Sequence, residues 1–178
     1  MIELMKALTI HQPYASLLAC GAKKYETRSW ATNYRGPIAI HAGLISVPLI
    51  LKRFFPLGEW DYSPDYKAKR EFLDAVGKAF EDYAPIEYMS NYLLYLPRGA
   101  VIATAELVGC RPIEIIHDTG TPVIVREGGK AIPIYDNEQL FGDWTTGRYA
   151  WEFANMIMLP EPIPARGQQG LWNWEGVA

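Results

Sequence analysis

Strand-forming apolar runs separated by turn signals make up most of this chain, and one short helical stretch follows directly after the first of them. MKALTI (5–10) is β-prone and stops at His11. Gln12 precedes a proline and is biased toward extended geometry, while Pro13 suits a first helical position. PYASLLACG then reads as a short helix, with Leu17 and Leu18 turned to the core and Gly21 as its left-handed stop. KYETRSW (24–30) reads as the next strand; if extended, it puts Glu26, Arg28 and Trp30 on one face and Tyr25, Thr27 and Ser29 on the other. NYRG is a turn signal, and PIAIHAG is a strand entered through Pro37, where a missing N–H is tolerated.

Further along, AVIATAELVGC (100–110) and GRYAWEFANMIML (147–159) are strong strand runs. TGTPVIVREGGKAIPIYDN between them has the pattern of a loop and hairpin turning at Gly128-Gly129. The segment from about Leu44 to Arg98 differs. Ser63, Pro64 and Asp65 mark a helix start, and Tyr66, Phe72 or Leu73, Val76, Phe80 and Tyr83 follow at helical spacing. The expectation is therefore one α+β domain over 1–178. It is a small mixed β-barrel with flanking helices and a helical insertion at about 44–98, and the mouth of such a barrel is a natural ligand site.

Composition narrows the function. The chain has 178 residues, 49% hydrophobic and 21% charged, enough for a real core and unlike a disordered sequence. A net charge of −3 argues against strong non-specific binding to duplex DNA, which needs many cations on phosphates. Locally the balance reverses: Lys23, Lys24, Arg28 and Arg35 face Glu26 alone between His11 and His41. The aromatic supply, with 6 Trp and 11 Tyr, would serve a core and equally the stacking of bases.

His11, His41 and His117 are scattered, and no HExxH or paired CxxC is present, so neither a metal nor another cofactor is expected. Phosphate-loop and GxSxG patterns are missing too. Cys20 and Cys110 read as buried thiols of a reducing compartment. The N-terminus lacks the pattern of a secretory signal, and the longest apolar attempt, LISVPLIL, is short and broken by Pro48. A soluble, cytoplasmic protein is the expectation.

The chemistry therefore concentrates around residues 11–30. Lys23 follows the glycine stop by two residues, and Glu26 and Arg28 project from one strand face. A lysine with a lowered pKa can act as a base and a glutamate as a proton relay. The same pair would serve as well as an interior ion pair fixing the barrel.

LTIHQPYASLLACGAKKYETRSW followed by YRGPIAIHAG resembles the start of the ASCH domain. The matching positions are His11, Gln12, Pro13, Tyr14, Ala15, Gly21, Lys23, Glu26, Arg28, Trp30, Arg35 and Gly36. GRYAW and GQQGLWNW resemble the ends of longer ASCH proteins through Gly147, Arg148, Tyr149, Trp151, Gly170, Leu171 and Trp172.

The resemblance implies a PUA-like barrel whose cleft, lined by the Lys23–Arg28 segment, binds RNA or a nucleotide. His11, Gln12 and His41 would flank that cleft. Trp30, Tyr149, Trp151 or Trp172 would stack on a base, and Arg28, Arg35 or Arg148 would meet phosphate. Relatives hydrolyse the acetyl amide of N4-acetylcytidine or cleave RNA. The amidohydrolase pattern G-x-K-T-x-T-x-R keeps Lys23 here, but Glu26 stands in place of the threonine nucleophile, and Thr27 belongs to the opposite strand face. As an enzyme the protein would use Glu26 as general base on water, with Lys23 or Arg28 stabilising an oxyanion. A third possibility is a protein-interaction module without ligand chemistry.

Overall fold

A computed structural model describes residues 2–45, 64–81 and 96–177. Its strands are β1 (Ile2–Ile10), β2 (Tyr25–Arg28), β3 (Gly36–Ala42), β4 (Ala100–Ile115), β5 (Pro122–Val125), β6 (Ala131–Pro133), β7 (Tyr149–Pro164) and β8 (Leu171–Val177). Its helices are α1 (Tyr14–Ala19), α2 (Pro64–Ala79) and α3 (Asp136–Leu140). The main sheet runs β2-β7-β4-β3-β1-β8, and β5 and β6 extend it from β4. Among the described residues only β1 and β3 pair in parallel; the other pairs are antiparallel.

The sheet is barrel-like but open, because its end strands β2 and β8 are not hydrogen-bonded to each other. Register shifts at three places between β4 and β7, and at Ile40/His41 between β3 and β4, bend the strands. The bend brings opposite parts of the sheet together. Arg28 at the end of β2 donates through Nη2 to the carbonyl of Thr9 on β1, 2.7 Å away, although three strands separate β2 from β1 in the sheet order. Pro112, with no N–H to give, sits where β4 leaves β7 for β5.

Leu8, Ile10, Ile38, Ile40, Leu107 and Trp151 form the central core, each fully buried aliphatic side chain contributing roughly 1.5–3 kcal/mol of apolar transfer. α1 lies between two cores. Leu18 joins the central one, whereas Leu17 turns to a second cluster with Phe72, Val76, Phe80 and Phe141. The two leucines therefore part company, and a six-residue helix ends up buried on both sides. Gly21 takes φ +81°, the left-handed geometry expected of the helix stop.

Two expectations change. The strand expected over 24–30 ends at Arg28, so Trp30 does not share a strand face with Glu26 and Arg28. The helix α3 is unanticipated. The hairpin at 128–129 is present, with Gly128 and Gly129 both at positive φ. The insertion expected at about 44–98 lies largely outside the described residues, Ser63, Tyr83 and Pro48 included. Its described helix α2 packs Phe72 and Val76 against Leu17 and Phe141. No described helix is long and apolar enough to cross a membrane.

Candidate functional site

Between the end of β1, the start of α1, β2, α2 and the loop after α3 lies a half-open cavity of about 580 Å3. That is the size range of small-molecule sites. Thr9 comes to it from β1, His11 from just past its end, Tyr14 from α1, Glu26, Thr27 and Arg28 from β2, and Ala68 and Phe72 from α2. Residues 139–143 and Arg148 complete the wall. Tyr14, Phe72 and Phe141 form a chain of aromatic contacts along one side, at centroid distances of 5.8 and 6.2 Å.

α3 and the loop after it are held to β2 and to Lys24 just before it by several contacts. Glu138 accepts the N–H groups of Lys24 and Tyr25 at 2.8 and 3.2 Å. Thr27 Oγ1 accepts the N–H of Asp143 at 3.0 Å, which ties the loop to β2. Gly142 is needed for that approach: a Cβ there would lie 2.7 Å from Trp144 Nε1 and 3.1 Å from Thr27 Cγ2.

Lys23 is the central electrostatic feature, and it lies beneath the cavity wall, outside its lining. It is 2% exposed and donates from Nζ to the carbonyl of Phe141. Its Nζ sits 3.6 Å from Glu26 Oε2 and 5.8 Å from the Tyr14 ring. Burial pushes the lysine pKa down; the charges of Glu26 and Glu138 pull back, and Arg28 adds to the fall. On the other side of Glu26, Arg28 Nε stands 3.1 Å from Oε1. This contact is an ion pair without the alignment of a good hydrogen bond, since the same Nε has no hydrogen-bond partner. Two cations thus offset the desolvation of one carboxylate whose side chain is 11% exposed and borders the cavity.

Tyr14 adds a hydroxyl whose pKa is pushed up to about 12, by burial first and by the Glu26 charge second. It remains a donor throughout the physiological range. At the rim, Arg148 pairs with Asp143 at 3.3 Å and donates through Nη2 to the carbonyl of Thr27 at 3.2 Å. Burial raises the Asp143 pKa, but the two hydrogen bonds from Thr145 and the charge of Arg148 outweigh it and leave the value below 3.8. A group lowered in this way contributes stability above 3.8 that disappears as pH falls through the folded value. The difference in Tm between the wild type and Asp143→Asn is therefore expected to narrow from pH 6 to pH 3, followed by circular dichroism. A difference that does not change with pH would contradict this.

The remaining residues picked out from the sequence lie elsewhere. Gln12 is wholly buried; it donates to Ser16 Oγ and to the carbonyl of Pro97 while accepting the Ser16 N–H, which anchors α1. Trp30 and Trp151 meet edge to face at 4.6 Å, and Trp151 Nε1 donates to the carbonyl of Trp30. Tyr149 packs against the central core. Arg35 bonds to the carbonyls of Thr32 and Tyr34 in its own loop. His41 is buried, with Nε2 3.0 Å from the carbonyl of Ala165 and Trp172 at 5.6 Å. His11, Glu26, Arg28 and Arg148 are the picked residues that line the cavity.

Sequence reasoning passed over Thr9, Phe141 and Asp143. Tyr14 was in view as the aromatic of HQPY and Phe72 as a position on an amphipathic helix. Among the described residues, no group of three His, Cys, Asp or Glu side chains is arranged to hold a metal ion.

The family model for the ASCH domain matches residues 8–163 of the 178. No curated protein matches the sequence.

Proposed function

Since this chain belongs to the ASCH domain family, we propose that its cavity holds a nucleobase, presented by single-stranded RNA or by a free nucleotide. The observation that carries this reading is the nearly buried Glu26 carboxylate facing an apolar and aromatic wall across about 580 Å3 of open space. A base has both complements: a flat apolar face for Phe72 and Tyr14, and ring or exocyclic N–H groups for a carboxylate. The protonated Tyr14 hydroxyl supplies a donor for a carbonyl or ring nitrogen on the same edge. Arg28 and Arg148, each paired with one carboxylate, are the cations at the mouth where a ribose phosphate would emerge. Lys23 acts from below as a positioning residue. It neutralises Glu26 and, through Phe141, fixes the loop that forms the opposite wall.

Titration calorimetry with the four nucleosides and their monophosphates, and anisotropy with labelled single-stranded RNA, tests this directly. Binding of at least one base class, stronger than binding to duplex DNA of equal length, is the expected result. No binding at millimolar ligand would overturn it.

One observation favours a hydrolytic second reading: a buried lysine with a lowered pKa stands 3.6 Å from a carboxylate that reaches the cavity. In that case Glu26 takes a proton from water and the Arg28 guanidinium steadies the oxyanion. Incubation with N4-acylated cytidine and with labelled RNA, with and without Mg2+, separates the readings. Turnover that disappears in Glu26→Gln would establish the enzyme.

A further inference from the structure

Most arginines of the described residues are engaged. Arg28, Arg70, Arg111, Arg126 and Arg148 have carboxylate partners, and Arg35 bonds to backbone carbonyls. Arg98 and Arg166 differ: both are exposed, and neither has an ion pair or a hydrogen bond among the described residues. They are also neighbours. Arg98 precedes Gly99 and Arg166 follows Ala165, and the N–H of Ala165 donates to the carbonyl of Gly99 at 2.9 Å. Two exposed cations thus flank one backbone link, with no carboxylate partner among the described residues.

The pair connects to the cavity by short steps. Gly99 donates to the carbonyl of Ala42, and Gly43 donates to that of Ile10, each at 2.8 Å. A Cβ on Gly43 would lie 3.0 Å from His11 Nδ1, and one on Gly167 would lie 3.0 Å from Thr9 Oγ1. Thr9 and His11 line the cavity, and the Thr9 carbonyl receives Arg28. The two arginines therefore stand at the same end of the sheet as Thr9 and His11, where the ends of β1, β3 and β7 meet the start of β4.

We propose that Arg98 and Arg166 form a phosphate clamp for the backbone of a single RNA strand whose base occupies the cavity. The proposal rests on the base-binding reading above. A phosphate between two guanidiniums accepts charge-assisted hydrogen bonds from both. Phosphate contacts of this kind set the path of a strand and carry no sequence preference. The substrate class is thus an oligonucleotide rather than a free nucleoside.

The test compares an unphosphorylated nucleoside, by calorimetry, with a fluorescein-labelled single-stranded RNA decamer, by anisotropy across a salt series. In Arg98→Ala/Arg166→Ala, nucleoside affinity and Tm should stay at wild-type values. Decamer affinity should fall about tenfold at low salt, and the slope of log affinity against log salt should shrink by about 1.4, near 0.7 for each lost phosphate contact. Arg98→Lys/Arg166→Lys should restore most of the slope. A double-alanine variant with wild-type decamer affinity and slope overturns the clamp while leaving the cavity reading intact. A wild-type protein that binds neither nucleoside nor decamer overturns both.

Discussion

Lys23→Ala should cost about 3 kcal/mol of stability, because it breaks a buried charge pair from the cationic side. That loss corresponds to a Tm lower by roughly 6–12 °C for a chain of this size. Three consequences add up. Glu26 keeps only Arg28 as counter-charge, the carbonyl of Phe141 loses its donor, and the space beneath Tyr14 is left empty. Lys23→Met retains the apolar stem and should recover part of the loss.

The pH dependence identifies the cause. Burial holds the folded-state pKa of Lys23 below 10.5, so between the folded value and 10.5 the unfolded chain binds more protons. Wild-type stability therefore gains from Lys23 as pH rises through that window, and Lys23→Ala lacks the gain. Chemical denaturation of both proteins at pH 8 and pH 10 checks the sign. A variant as stable as the wild type at both pH values would mean that Lys23 does not support the fold.

Glu26→Gln should weaken nucleoside binding by roughly 10- to 100-fold, the worth of one charge-assisted hydrogen bond in a largely desolvated site. The amide keeps the shape and one acceptor but gives up the charge, and it places an NH2 group where the ligand's own N–H would point. The substitution also leaves Lys23 buried without its nearest carboxylate, at 3.6 Å. Binding must therefore be measured well below the variant's Tm. Loss of stability with unchanged affinity would make Glu26 an internal brace of the barrel.

Much of this site can be read locally. The proline-led, glycine-stopped helix after β1 and the two-residue alternation of β2 bring Lys23, Glu26 and Arg28 together, since all three lie within one short stretch of chain. The opposite wall is not legible that way. Phe141 and Asp143 stand more than a hundred residues further on and meet Lys23 and Thr27 only through long-range hydrogen bonds. α3 has five residues, too few for a helical period, and opens at Asp136 with φ +55°.

The tryptophans show the opposite failure. Because β2 ends at Arg28, Trp30 folds back on Trp151 in the core, and Trp172 is committed to Thr9 Oγ1 and His41. Aromatic content announced stacking residues, but the aromatics along the cavity are Tyr14, Phe72 and Phe141.

The most direct test of the cavity as the ligand site is an NMR titration of isotope-labelled protein with the tightest-binding nucleoside. Shifts should saturate together at Thr9, Tyr14, Thr27, Ala68, Phe72 and Gly142, which line the cavity from four separate elements and the loop. Shifts confined to the surroundings of His41 and Trp172, or to exposed Ile157 and Met158 on β7, would contradict it.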